Sequence, residues 1–428
     1  MPTSFFDIDP RLNAAAERVR EEIAPVFARI DGIADYNQQK VLSAFIKHRV
    51  SESHFVPTTG YGYGDRGREV LEEVFAEVVG AEDALVRHSI LCGTHAITVA
   101  LFGVLRPGDV LLAATGAPYD TLLGVIGADK PSDGSLAEYG VGYREVPLNG
   151  DGLPDIAGIC TALRAEPAIK VVHIQRSRGY NLRPSLTVAR IGEVVAAVKQ
   201  VRPDAIVFVD NCYGEFAERE EPIAVGADLM AGSLIKNPGG GIAENGGYIC
   251  GRRDLVEKCA YRLTTPGLGK EVGASLGHNR TMFMGLFQAP HVVGEAMKTA
   301  VFAAALFERF GYRCTPSSTE ERADIIQVIQ MGCAEPLIAF CQGIQSGAPV
   351  DAFVVPEPWD MPGYDNQVIM AAGAFTMGSS IELSADAPLR EPFAVYIQGG
   401  LNFSSGRIGI LLAAQKLLET GMLPHLET

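Results

Sequence analysis

Lys236 ends a short apolar run in Ser233-Leu234-Ile235-Lys236-Asn237-Pro238-Gly239-Gly240-Gly241. Lysine is almost never fully buried without a partner. Desolvation lowers the pKa of its amine and makes it a nucleophile toward carbonyl compounds. A lysine closing a buried strand ahead of three glycines therefore suits a covalent imine with a cofactor aldehyde; the plainer alternative is a surface lysine opening a glycine-rich turn. Other reactive residue types close or follow apolar runs in the same way. Asp210 ends Ala205-Ile206-Val207-Phe208-Val209, where a carboxylate costs free energy unless it meets a cation. A protonated pyridine nitrogen is such a cation, and a helix cap is the alternative. Cys92-Gly93-Thr94-His95 precedes a stretch with Ile97, Ala100, Leu101 and Val104 at helical spacing. Small residues there let backbone amides approach an anion at a helix N-terminus, unless Thr94 is only an N-cap. Tyr119, in Gly116-Ala117-Pro118-Tyr119, could stack on a planar ring or serve in packing. The Ser233 hydroxyl could bind a phosphate while the lysine reaches an aldehyde.

These groups need elements that gather them. In parallel sheets, ligands collect outside the carboxyl ends of the strands. Strands are expected over 84–89, 109–115, 170–175, 205–210, 229–235 and 247–250, with helices over 94–105 and 186–201. Short β-branched runs alternating with helices predict an α/β fold, with a mostly parallel sheet covered on both faces. Residues 10–54 read as helical, broken or restarted near Pro25, and 57–67 is a glycine-punctuated loop carrying Tyr61, Tyr63 and Arg66. From about Pro290 the pattern changes to a long helix over 292–310, then helices mixed with short strands such as 351–356 and 393–398. The expected organisation is an N-terminal helical arm (1–60), a large α/β cofactor-binding domain (61–289) and a small C-terminal α+β domain (290–428).

The 428 residues are 47% hydrophobic and 20% charged, as in an ordinary soluble protein. A net charge of −15 argues against nucleic acid or an anionic membrane as partner, since both demand a basic face. It does not exclude an anionic cofactor, which local amides can hold. Eight cysteines without a C-x-x-C pair fit a reduced, cytoplasmic protein better than a disulfide frame or a zinc site, so no metal is expected. The N-terminus shows no basic region followed by an apolar stretch, and no apolar run reaches the ~18–20 residues that span a bilayer.

Anion loop, tyrosine, strand-end aspartate and strand-end lysine, in this chain order, resemble the fold-type I pyridoxal 5'-phosphate (PLP) enzymes, and among them the cystathionine and methionine lyase branch. Cys92-Gly93-Thr94-His95-Ala96-Ile97, Gln175-Arg176-Ser177-Arg178-Gly179-Tyr180, Lys236-Asn237-Pro238-Gly239-Gly240 and Gln398-Gly399-Gly400-Leu401 look most like the methionine γ-lyase-like group labelled aluminium-resistance proteins, over about 55–421. The resemblance implies that Lys236 carries PLP as a Schiff base, that Asp210 partners the pyridine nitrogen and that Tyr119 stacks on the ring. It implies Gly93, Thr94 and Ser233 as phosphate ligands. In that branch a Tyr-x-Arg segment of a neighbouring subunit also grips the phosphate. Tyr63-Gly64-Asp65-Arg66 is the candidate here, one residue longer, with Tyr61 as a rival. That would make the site shared in a dimer or tetramer. The branch's Glu-Thr-Pro-Ser-Asn-Pro is replaced by the arginine-bearing stretch at 175–181, whose charges could bind a substrate carboxylate or lie solvated at a strand end. Arg407 and Arg178 are the candidate carboxylate ligands, with Tyr61 also near the substrate. The implied reaction removes a thiol from a sulfur-containing amino acid, giving a keto acid and ammonia, with Lys236 as the general base. An aminotransferase on the same fold and a non-catalytic PLP-fold regulator or scaffold are the alternatives. A nicotinamide dehydrogenase is disfavoured, since no G-x-G-x-x-G opens a helix after a first strand.

Overall fold

The structure, a computed structural model, describes residues 5–128, 132–361 and 366–426. The chain divides into two compact units, residues 36–290 and residues 1–35 with 291–428. In chain order the helices are α1 (Pro10–Glu22), α2 (Ala24–Lys47), α3 (Arg66–Val79), α4 (Gly93–Val104), α5 (Asp120–Ile126), α6 (Ile156–Ala165), α7 (Val188–Val201), α8 (Arg253–Leu263), α9 (Asn279–Arg309), α10 (Ala334–Ser346) and α11 (Phe403–Glu419). The chain passes between the units within α2 and within α9. The first helix therefore counts with the C-terminal residues, where the sequence set 1–60 apart as an arm.

The 36–290 unit is built on β1 (Asp83–Arg87), β2 (Val110–Ala113), β3 (Gly142–Glu145), β4 (Ile169–Gln175), β5 (Ile206–Asp210), β6 (Leu229–Ser233) and β7 (Gly247–Gly251), in the order β1-β7-β6-β5-β4-β2-β3. β3, β2, β4, β5 and β6 run parallel, and β7 is antiparallel to both β6 and β1. The fold is α/β, as the alternation of runs predicts. Alternate side chains of a strand point to opposite faces. Leu111 and Phe208 join Ile97, Leu101, Val256 and Cys259 of α4 and α8 in one core. Leu112, Val207 and Val209 join Ile159, Leu163, Val194 and Val198 of α6 and α7 in the other. Both faces being covered, β5 reads as a continuous apolar run up to Asp210, and β4 as an apolar run interrupted by His173 before Gln175.

In the other unit, β8 (Arg313–Thr315), β9 (Gln327–Gln330), β10 (Val368–Ala371), β11 (Ser384–Pro388) and β12 (Ala394–Gln398) form an antiparallel sheet in the order β10-β11-β12-β9-β8. β12 lies where a strand was expected, over 393–398. The strand expected over 351–356 is absent: Asp351 takes a left-handed backbone at φ 54°, and Phe353 and Val355 are exposed. Pro356 and Pro358 remove the donors that a further pairing strand would need. At the N-terminus, Asp9 caps α1 by accepting from Arg11 N at 2.8 Å, Pro10 takes the first-turn position, and α2 restarts at Ala24 with Pro25 in its first turn.

Candidate active site

Strand pairing brings the candidate groups to one edge of the large sheet. β5 and β6 run parallel with Asp210 opposite Ala231, so their exits leave the same side. Gly93 opens α4 against these exits: a Cβ there would lie 2.9 Å from Cys212 Sγ and 3.5 Å from Ser233 Cβ. A glycine is what lets the helix N-terminus come this close, and its free amides suit an anion. Ser233 is buried, and its Oγ has no hydrogen-bond partner among the described residues. A buried orphan hydroxyl costs about 1–3 kcal/mol, which a ligand oxygen would recover. Thr94 Oγ1 lies 3.0 Å from Tyr119 OH, and Tyr119 N donates to Gln175 Oε1 at 3.0 Å, tying the α4 N-terminus and the turn after β2 to the end of β4.

Asp210 is buried at the end of β5, where its Oδ1 accepts from Cys212 N at 3.1 Å. Burial pushes its carboxyl pKa up, against the pull of Lys236 and the Cys212 hydrogen bonds. Burial also drives the Tyr119 phenol well above its ordinary value. For Lys236 the sequence suggests a pKa lowered by desolvation. Burial does act that way, but Tyr213, Cys212 and Asp210 outweigh it and hold the ammonium well above its ordinary value. The Nζ stands 3.8 Å from the centroid of the Tyr213 ring. Lys236, Asp210, Ser233, Gly93, Thr94 and Tyr119 thus share one neighbourhood.

Tyr213 is a residue that sequence reasoning missed; its one signal was an aromatic just past the strand-end aspartate. Its backbone is left-handed at φ 74°, and Asn237 Nδ2, from the residue after Lys236, donates to Tyr213 O and to Glu215 O at 2.9 Å each. Glu215 is buried, its Oε1 accepts from Tyr248 OH at 2.7 Å, and burial pushes its pKa up to about 8. Behind this turn, Arg176 is fully buried. Its Nη1 donates to Asn211 Oδ1 at 2.7 Å and to Glu221 Oε2 at 3.3 Å, and its Nη2 to Glu218 Oε1 at 2.8 Å. The idea that Arg176 could bind a substrate carboxylate is therefore corrected: two protein carboxylates already occupy it. Arg178 is also buried, and its Nε donates to Ser185 Oγ at 3.3 Å.

The remaining candidates lie on other elements. Tyr61 and Tyr63 are 71% and 57% exposed, their rings stacked at 5.5 Å, and Arg66 is exposed at the start of α3. Arg407 belongs to the other unit, on α11, where its Nη1 pairs with Glu17 Oε1 at 2.9 Å. Among the described residues, no group of three or more His, Cys, Asp or Glu side chains is arranged to hold a metal ion. No helix among them is long and apolar enough to cross a membrane.

The sequence model of the methionine gamma-lyase family matches residues 12–418. The chain belongs to the methionine gamma-lyase family. Within reach of this family member is the uncharacterized protein YnbB of Bacillus subtilis (strain 168), 48% identical over 96% of this chain and 98% of that one. The structure of a carbon-sulfur lyase involved in aluminum resistance from Clostridium novyi NT is 50% identical, with a TM-score of 0.93 over 96% of each chain. A pyridoxal-5'-phosphate dependent protein, YhfS from Escherichia coli, aligns over 90% of this chain and 96% of its own at 17% identity and a TM-score of 0.61. That distance carries the fold alone, which is fold-type I: a mostly parallel, seven-stranded sheet with helices, accompanied by a second, antiparallel sheet.

Proposed function

We propose that this methionine gamma-lyase family member is a PLP-dependent lyase that cleaves a carbon–sulfur bond in a sulfur-containing amino acid. The observation that carries the reading is the orphan Ser233 hydroxyl, buried beside the N-terminus of α4 and next to the exit that bears Lys236. The residues present fit the cofactor. Ser233 Oγ, Thr94 Oγ1 and the first amides of α4 would hold its phosphate, Asp210 its ring nitrogen, Tyr119 its ring face, and Lys236 would carry it covalently. The reaction class is that of the Clostridium novyi relative and of the family's name.

Bound there, PLP supplies an electron sink for negative charge that builds on the substrate α-carbon. The chain's own residues do the rest. Asp210, whose ionised carboxylate burial disfavours, would be stabilised by a cationic ring nitrogen and would in turn favour the protonated form of that nitrogen. Lys236 Nζ, when not bonded to the cofactor, would be the base that takes the substrate's α-proton. Burial raises the pKa of the Tyr119 phenol, so beside Thr94 it is a neutral hydroxyl and not an anion. Tyr63 and Arg66, with Tyr61 as the rival, would reach the phosphate of a second copy of the chain. Their exposure, on a loop held at its backbone, supports that assignment.

The test is a visible spectrum of the purified protein reconstituted with PLP, with keto-acid release scored across cystathionine, methionine and cysteine. Lys236→Ala is expected to abolish the borohydride-sensitive band and to lower turnover on the order of 10³-fold or more. Full turnover in that variant ends the reading. Conversion of the cofactor to its amine form without thiol release replaces it with transamination.

A further inference from the structure

We propose that Tyr213 is the positioning residue of Lys236: its ring face seats the amine whenever it is not bonded to the cofactor, and favours its ammonium form. The inference rests on Lys236 being the reactive amine of the reading above. The Nζ lies 3.8 Å from the ring centroid, well inside the roughly 6 Å over which a cation and an aromatic face attract. The contact is built rather than incidental. A tyrosine at φ 74° occupies a backbone region that glycine enters freely and bulky residues rarely do, and such strain persists only where the surroundings enforce it. Here the enforcement is visible. Asn237 Nδ2 bridges Tyr213 O and Glu215 O, and Gly214 N closes the turn on Asn211 O at 2.9 Å. A Cβ at Gly214 would stand 2.5 Å from Arg176 Nε, so the buried arginine packs directly beneath the turn. Because Asn237 follows Lys236 in the chain, ring and amine hang from one frame and keep their spacing.

The titratable groups that face the amine are Tyr213, Cys212 and Asp210, with Glu215 and Tyr119 also feeling its charge. Burial raises the pKa of the Cys212 thiol, the Glu215 carboxyl and the Tyr119 phenol, so at neutral pH the nearby stabilisers of a cation are Asp210 and the Tyr213 ring. With Asp210 engaged by a pyridinium, Tyr213 would remain beside the lysine. A proton taken up by Lys236 would then sit, until it is passed on, on an ammonium facing the Tyr213 ring.

The test reads the amine without the cofactor. Full-length protein freed of PLP is acetylated with trace acetic anhydride across pH, and Lys236 labelling is followed by peptide mass spectrometry against the exposed Lys47. Tyr213→Leu is expected to lower the labelling midpoint of Lys236 by about one pH unit, while Tyr213→Phe, which keeps the ring, stays near wild type. A graded series of fluorinated phenylalanines at 213, nearly isosteric and so sparing the fold, is expected to lower the midpoint stepwise as the ring face loses electron density. A flat series, or a Phe variant shifted as far as Leu, overturns the proposal; the latter outcome gives the role to the hydroxyl. Failure of the lyase reading is separate: it shows as cofactor absorbance that survives Lys236→Ala, whatever the labelling midpoint does.

Discussion

Two buried side chains near the sheet make stability depend on pH in opposite directions. Burial lowers the His173 pKa from 6.5 to about 4, so the folded state keeps the ring neutral while the unfolded chain takes up a proton, and stability falls as pH drops below 6.5. Glu215 behaves inversely. Its folded pKa of about 8, against 4.5 unfolded, means the folded state keeps a proton that the unfolded chain has lost, so stability falls as pH rises through this interval. Between pH 4.5 and 6.5 the two slopes oppose each other, and above 6.5 the Glu215 slope stands alone. Glu215→Gln keeps an oxygen acceptor for Tyr248 OH and removes the titration. Between pH 6.5 and 8 the wild type is expected to lose on the order of 2 kcal/mol more than the variant, measured by denaturant unfolding at each pH. Parallel curves for the two proteins would show that Glu215 is ionised in the folded state.

At the scale of elements, two buried arginines fasten the tyrosine-bearing loop. Arg68 Nη1 donates to Gly62 O at 2.8 Å and Gly273 O at 2.7 Å, and its Nη2 to Glu271 O at 3.3 Å. Arg87 donates to Val272 O at 2.8 Å and Lys270 O at 3.1 Å, and its Nε to Glu72 Oε1 at 2.6 Å. In return Gly273 N donates to Tyr61 O and Leu276 N to Thr58 O, so 58–62 and 270–276 lie side by side as one clamped pair. Gly62, at φ 63°, is where the approach is tightest, since a Cβ there would stand 2.6 Å from Ala274 Cα. Arg68→Met is expected to strand these carbonyls at a cost of about 3 kcal/mol. Amide exchange at Gly273 and Leu276 should quicken by about tenfold or more while Val172 and Val207 in the central strands stay protected. Equal loosening of the strands would instead mean that Arg68 supports the whole unit. The far side of this clamp was not legible in the sequence, because the acceptors at Lys270, Glu271, Val272 and Gly273 are backbone oxygens some two hundred positions from the donors. The ends of β4 and β5 were legible, since their apolar runs stop at Gln175 and Asp210, whereas β6 ends at Ser233, two residues short of the expected 229–235, and leaves Lys236 in the turn that follows. β3 escaped notice because Gly-Tyr-Arg-Glu has no apolar pattern, and β11, Ser-Ala-Asp-Ala-Pro, becomes a strand only through its two neighbours. Arg176 looked available to a substrate carboxylate because Glu218 and Glu221 return to it only after β5. Tyr213 was invisible for a similar reason: its place depends on a left-handed turn that Asn237 completes from the next strand's exit.

For the whole molecule, a site shared between copies has a stringent test. If Lys236 of one subunit works with Arg66 of another, Lys236→Ala and Arg66→Ala proteins should each be nearly inactive. Mixed by unfolding and refolding, they form hybrids with one doubly altered and one intact site. In a dimer with random pairing, recovery should approach about a quarter of wild-type activity. Activity that stays at the parental level after mixing, with hybrids verified by native mass spectrometry, would place both residues in the same chain's site. The outer border of the large sheet carries a different consequence. β3 ends the sheet on one side, and its Arg144 and Glu145 stand there with charge, Arg144 Nε pairing with Glu166 at 2.9 Å. A naked strand of β-branched residues in that place would be a template for endless stacking of chains. The charged rim that β3 presents instead disfavours the addition of a further strand along that border.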